Sequence, residues 1–210
     1  MNIIKSLEWR YACKKFDKNK KVTEEQINAL KKAFNLSATS YGLQPLKMLI
    51  VKTDEIKEKL FPHAYFQQQI TTCSHILIIC IHTDFGEQDI DAYFDLEKNT
   101  RGVSEEIVGK FRNQLKRIYS KKKREEIDAS AIYQAYISIG TLMTVCADQR
   151  IDSCPMEGFD PEKVDEVLDL KTKNLRSVLL LPIGYRSEDD IMSRMKKVRK
   201  PLDKVIIELD

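Results

Sequence analysis

Cys154-Pro155-Met156-Glu157-Gly158-Phe159-Asp160 is the stretch on which the reading of this chain turns. Pro155 has no backbone N–H and fixes its own φ. Gly158 lets another group come close to the main chain. The N–H groups of Glu157 and Gly158 are therefore expected to be free to point at a flat group lying against the loop. A Pro-x-Glu-Gly sequence also closes many surface turns. The loop gains weight only from two basic clusters, Arg10 with Lys14 at one end of the chain and Lys197 with Arg199 at the other.

The loop follows a stretch, 129–147, that holds no charged residue. Its Ser130, Gln134, Ser138, Thr141 and Thr144 break the run of about 20 predominantly apolar residues that a membrane span wants. It reads as a helix over 128–149 buried on every side within protein, or across a subunit interface, and nothing in the sequence reads as spanning a membrane. The chain has 210 residues, 42% of them hydrophobic, enough for one domain over 1–210. Its 35 basic and 32 acidic residues leave a net charge of +3, too even to argue for nucleic acid. The run Lys121-Lys122-Lys123-Arg124 lacks interleaved aromatics and reads as a solvated helix face. Five cysteines form no C-x-x-C pair, which suits reduced thiols in a cytoplasmic protein. The first residues, Met1 to Lys5, lack the apolar run of a signal peptide.

Further out, 2–10 reads as a short helix capped by Asn2, with Ile3, Leu7 and Ile4 facing inward. Thr23-Glu24-Glu25-Gln26 is a capping box opening a helix that carries Ile27, Leu30 and Phe34 on one face. Met48–Val51, Ile76–Ile81 and Val178–Ile183 are short apolar runs of the kind found in strands covered on both faces. Pro182 points to an edge or strand-end position for the last of these. The pattern places a charged helix over 104–126, an amphipathic one over 161–169 and a further strand over Lys204–Leu209. The class is α+β, a helical mass around a small mixed β-sheet.

Arg10 and Lys14 could serve only to complement a helix C-terminus, worth a few tenths of a kcal/mol. Lys197 and Arg199 could be an ordinary solvated tail. Their occurrence together with the 154–160 loop shifts the balance. Arg10-Tyr11-Ala12-Cys13-Lys14-Lys15-Phe16 resembles the R-x-S-x-R/K-x-F/Y opening of the FMN-dependent NAD(P)H nitroreductases. Ser37 to Pro45 resembles their S-x-S-x-x-x-Q-P loop, and Phe66-Gln67-Gln68-Gln69 their N-Q-x-Q/K segment. Pro155 to Phe159 resembles P-x-E-G-F, and Lys197-Val198-Arg199 the terminal K-x-R. The likeness runs nearly end to end.

The resemblance implies a nitroreductase-like fold, a homodimer with an extended C-terminal segment, and FMN as cofactor. It implies that Arg10, Lys197 and Arg199 hold the FMN phosphate, with Tyr11 and Ala12 beside them. Lys14, Gln67 and Gln69 would lie along the ring, where the charge of Lys14 stabilises reduction. In the loop of Pro155 and Met156, the N–H of Glu157 would serve flavin N5 and Gly158 would let the ring approach. Lys14 and Glu157, the latter through its backbone, are thus the expected catalytic residues. Thr39, Ser40 and Gly42 would reach the flavin held mainly by the other subunit, and Tyr41 would stack on substrate. NADH or NADPH would pass a hydride to N5 and leave. A flat nitroaromatic, quinone or pterin-like acceptor would follow in ping-pong order.

Three positions depart from the pattern: Ala12 for Ser, Phe66 for Asn, and Gln69 for the Lys of some members. The last implies a lower flavin potential than in a Lys-bearing relative. No metal is expected, since His63, His75 and His82 are scattered, and no Gly-rich phosphate loop occurs. Cys13 and Cys154 read as small buried thiols. Two other readings stay open: an FMN storage or sensor protein without turnover, and a basic-helix interaction protein using 110–124.

Overall fold

The sheet is built on the longest apolar run. In the computed structural model, which describes residues 2–209, β2 (His75–His82) is buried along almost its whole length. It lies between β1 (Leu46–Val51) and β4 (Leu175–Gly184), with the two-residue β3 (Asp152–Ser153) beyond β4. Strand side chains alternate between faces. Ile76, Ile78 and Cys80 enter one apolar cluster with Phe16, Leu60, Phe159 and Val164. Leu77, Ile79 and Ile81 enter another, with Leu30, Ala135 and Leu142. Helices α3 (Asp54–Leu60) and α8 (Pro161–Val167) supply the first cluster, while α2 (Glu24–Asn35) and α7 (Arg124–Asp148) supply the second.

The α+β layering is the one the sequence suggests, but all three strand pairings are antiparallel rather than mixed. Pro182 sits in an inner strand, not at an edge. Its carbonyl accepts from Cys154 N at 3.0 Å. In a strand the N and O of one residue face the same neighbour. The missing donor therefore faces the short β3 side and leaves the β2 ladder intact.

Local signals set most helix starts. Asn2 accepts from the N–H of Ile4 and Lys5 to open α1 (Ile3–Trp9), and Thr23 with Gln26 forms the reciprocal capping box of α2. The 85–126 region holds an extra break. Gly102, left-handed at φ 64°, ends α5 (Glu87–Arg101), and α6 (Glu105–Tyr119) packs beside it around Phe94, Val108 and Leu115. The predicted 104–126 helix stops at Tyr119, capped by Ser120, and α7 begins at Arg124. The short α4 (Gln69–Thr72) leads into β2.

Three expectations, two of burial and one of a strand, are not met within one chain. Ile3, Ile4 and Leu7 are exposed, and α1 buries Ser6 instead. Helix α7 is not covered all round, because Tyr133, Tyr136 and Ile137 face outward. By length and composition α7 could cross a membrane; 39% of that apolar window is buried here, against α1, α2 and the sheet. Residues 204–209 form no strand: a 3₁₀ turn over Leu202–Lys204 is followed by exposed chain, with Ile207 86% accessible.

Lys57 is fully buried and donates to Cys73 O at 2.9 Å, Ser74 O at 3.0 Å and Asp54 Oδ1 at 3.0 Å. It clamps the chain where α4 passes into β2. Lys57→Ala leaves two buried carbonyls without a donor, each worth roughly 1–3 kcal/mol. Urea unfolding is expected to show a loss of about 3 kcal/mol. An unchanged midpoint would mean that water replaces the ammonium.

Candidate active site

Residues from the two ends of the sequence lie side by side. Ala12 bridges Ser153 in parallel, and Cys13 N donates to Ser153 O at 3.2 Å. The loop continues along β4, with Met156 N to Leu180 O at 2.8 Å and the reciprocal bond at 3.1 Å. Beyond Met156 the pairing stops. Among the described residues no protein acceptor takes the N–H of Glu157 or Gly158, so both remain available to a ligand. The Glu157 carboxylate is held aside by the Tyr136 hydroxyl at 2.9 Å, and Gly158 O accepts from Gln67 Nε2 at 2.7 Å.

Lys14, Gln67, Gln69, Cys154 and Gly158 form one contiguous group. Gln69 donates to Gln67 Oε1 at 3.1 Å, and its amide lies 3.9 Å from Cys154 Sγ. Lys14 Nζ approaches the same sulfur at 3.6 Å. Burial pushes the Cys154 thiol up, with Lys14 and Arg10 pulling the other way, and burial also pushes Cys13 up. Tyr65 and Phe66 have positive φ values of 53° and 55°, uncommon for bulky residues. This turn aims Phe66 outward, edge-on to Phe61, while Gln67 is half-buried and Gln69 buried. Phe66 thus offers the site no polar contact. The Gln67 amide is already engaged by Ala64 O and Gly158 O.

At the other end of this group lies a cavity of about 630 Å³ lined by Trp9, Arg10, Tyr11, Met195, Lys197 and Arg199. Arg10 Nε is buried with no partner among the described residues. Burial and the neighbouring Arg199 cation lower the pKa of Arg10. Burial, Arg10 and Arg199 likewise lower that of Lys197. A cationic cluster that disfavours its own charge suits an anion. Lys197 Nζ donates to Leu7 O at 2.7 Å and to Arg10 O. Lys197, rather than Arg10 or Lys14, is therefore the cation that complements the C-terminus of α1.

Sequence reasoning missed two buried acids that hold this arrangement. Asp152 accepts from Arg186 N at 2.8 Å, Nε at 2.9 Å and Nη2 at 2.5 Å, and the Arg186 guanidinium packs on Trp9 and Tyr11. Asp190 accepts from Tyr11 Oη, Cys13 Sγ, Lys14 N and Lys15 N on one oxygen and from Met192 N on the other. A helix-capping reading of Asp190-Ile191-Met192 could have found the last contact, but no local signal marks the others.

The loop bearing Thr39, Ser40, Tyr41 and Gly42 stands apart. Ser40 N donates to Gln134 Oε1 at 2.8 Å, Thr39 Oγ1 accepts from Gln44 N at 3.2 Å, and Tyr41 meets Phe111 edge-on. Gly42 has φ 75°, and a Cβ there would fall 2.5 Å from the Tyr93 hydroxyl oxygen. Among the described residues no hydrogen bond joins this loop to the 154–158 loop or to the basic cavity within one chain.

A surface with two free N–H groups at one end and an unneutralised cationic cavity at the other is built for a flat ligand with an anionic tail. The chain belongs to the nitroreductase family, whose model matches residues 7–185. Over 212 residues it is 31% identical to a candidate NAD(P)H nitroreductase of Staphylococcus haemolyticus, covering 97% of this chain and 95% of that one. It is 29% identical over 218 residues to the major NAD(P)H-flavin oxidoreductase of Aliivibrio fischeri, covering 97% of each. The fold matches that of a candidate nitroreductase of Exiguobacterium sibiricum solved in complex with FMN. The TM-score is 0.86 at 19% identity, over 100% of this chain and 98% of that one.

Asp190 supplies a pH test. Burial opposes its charge, but the N–H of Lys14, the Cys13 thiol and the N–H of Lys15 outweigh it and hold its carboxyl below the ordinary value of 3.8. A depressed folded pKa contributes stability above the ordinary value and loses it as the pH falls through the folded one. Acid unfolding followed by circular dichroism is expected to be steeper below about pH 4 in the parent than in Asp190→Asn. Parallel curves would count against this charge.

Proposed function

We propose that the chain is an FMN-dependent NAD(P)H oxidoreductase of the nitroreductase type, one domain over 1–210. The observation that carries this reading is the pairing of the unneutralised Arg10–Lys197–Arg199 cluster with the open N–H groups of Glu157 and Gly158. In this reading Arg10, Lys197 and Arg199 bind the phosphate, with Tyr11 and Ala12 forming the wall between phosphate and ring. Lys14 and Gln69 face the pyrimidine edge of the ring, where the ammonium favours the negative charge of the reduced state. Pro155 and Met156 hold the loop on β4, so that the Glu157 N–H reaches N5 and Gly158 leaves room for the ring.

FMN bound there supplies hydride transfer at N5, first from NADH or NADPH and then to a flat acceptor in the vacated place. The residues bind, orient and polarise; the Glu157 carboxylate, held by Tyr136, is turned to a neighbour rather than to a reacting atom. A nitroaromatic, quinone or pterin-like molecule fits a site that recognises a planar group.

The apolar surface that one chain leaves uncovered on α7 and along the C-terminal segment supports a homodimer. Thr39, Ser40 and Gly42 then belong to the partner's flavin site, with Tyr41 at the acceptor's mouth. Five free, buried thiols suit a reducing, cytoplasmic setting.

The purified protein is expected to show the two-band flavin spectrum and to bleach anaerobically with NADPH or NADH. A colourless chain that takes up no added FMN would defeat the proposal, and a yellow one that neither nucleotide bleaches would point to storage or sensing. Neutralising Lys197 and Arg199 together is expected to weaken FMN binding by about tenfold or more, the equivalent of a lost charge-assisted contact. Gln69→Lys is expected to raise the midpoint potential of the bound flavin in a redox titration, since it adds a cation at the ring. A fall would reverse the assigned orientation.

A further inference from the structure

The cationic cavity has a mechanical problem. Its three cations come from segments more than 180 residues apart in sequence, and burial first, then their mutual repulsion, disfavours the charge of Arg10 and Lys197. The segment carrying Lys197 and Arg199 has little packing of its own, with Val198 84% exposed. Something must hold it against the start of the chain.

We infer that Asp190 is the positioning residue that assembles the phosphate half of the site, by joining the C-terminal basic segment to the 10–15 segment. This deepens the FMN reading above and rests on it. Asp190 is 3% exposed. One carboxylate oxygen, Oδ2, accepts from Tyr11 Oη at 3.1 Å, Lys14 N at 2.9 Å, Lys15 N at 3.3 Å and Cys13 Sγ at 3.4 Å. The other, Oδ1, accepts from Met192 N at 3.1 Å and opens the 3₁₀ turn over Ile191–Arg194. The Asp190 carbonyl accepts from Ser193 Oγ at 2.7 Å and closes that turn. From its end the chain passes over the C-terminus of α1, where Lys197 meets Leu7 O and Arg10 O.

A carboxylate offers two acceptor oxygens and no donor, which matches a site made only of donors. An asparagine would keep one oxygen and place an NH₂ against donors. Asp190 touches neither flavin nor substrate in this arrangement; it acts through where Arg10, Lys197 and Arg199 stand.

The test compares FMN with riboflavin, which has the same ring and no phosphate, titrated by flavin fluorescence into the full-length parent, Asp190→Asn and Tyr11→Phe. Asp190→Asn is expected to raise the Kd for FMN about tenfold while that for riboflavin stays within about twofold. Tyr11→Phe removes one donor to Oδ2 and is expected to lose about threefold on FMN alone. Should Asp190→Asn not fold, judged by far-ultraviolet circular dichroism, Tyr11→Phe decides. Unchanged FMN affinity, or equal losses for both flavins, would overturn the inference, because a merely structural acid cannot distinguish them. A parent that binds neither flavin, or binds riboflavin as tightly as FMN, would instead strike the phosphate-cavity reading itself.

Discussion

Everything in the site depends on Ser153 being paired on both sides. Its strand is bonded to β4, opposite Ile183, while its carbonyl takes the N–H of Cys13. That double pairing brings a segment near the start of the chain into line with the loop that follows α7. Arg10 and Lys14 then flank one bridged segment, and the Glu157 and Gly158 N–H groups follow the loop beside it. A two-residue strand is a weak element by itself. It persists because β4, which it borders, is locked into β2 along nearly its whole length, and because Asp152 and Arg186 tie its far side to Tyr11 and Trp9.

The stability of the fold and the poise of the site pull in opposite directions. The core is consistent in its apolar patterning: apolar runs alternate cleanly between two clusters, and the buried Lys57 is fully supplied with acceptors. The site is not. Among the described residues it keeps a buried guanidinium nitrogen without a partner, three cations without an ion-paired carboxylate, two left-handed aromatic residues and two unpaired N–H groups. Such local conflicts are expected where a ligand completes the structure.

The same contrast explains what could be read from sequence. The strands at 76–81 and 178–183 and the caps at Asn2 and Thr23 are local signals and were legible. The lines of cations were legible too, because the family likeness orders them. What could not be read depends on distant partners. Asp190 meets residues 175 to 179 positions away, and β3 exists only because β4 passes beside it. The exposed faces of α1, α7 and the tail follow patterns that promise burial, and a single chain provides nothing to bury them against. The break at 120–123, between α6 and α7, is concealed by a charged run with helical composition on both sides.

The three departures from the family pattern can now be weighed by where they sit. Ala12 lies in the bridge to Ser153, so its missing hydroxyl leaves the strand pairing, a backbone matter, untouched. Phe66 has turned to Phe61 and solvent, and the left-handed turn it shares with Tyr65 still delivers Gln67 and Gln69 to the site. Gln69 is the one with an electrostatic consequence. Its amide is occupied by Gln67 and Cys154, which leaves Lys14 as the cation of that end, itself resting against a sulfur rather than an acid. The charge distribution is therefore lopsided by construction, with three cations where an anionic tail would rest and one where electrons would arrive. In the proposed reading, binding strength and electron affinity fall to separate residues, and either could change without the other.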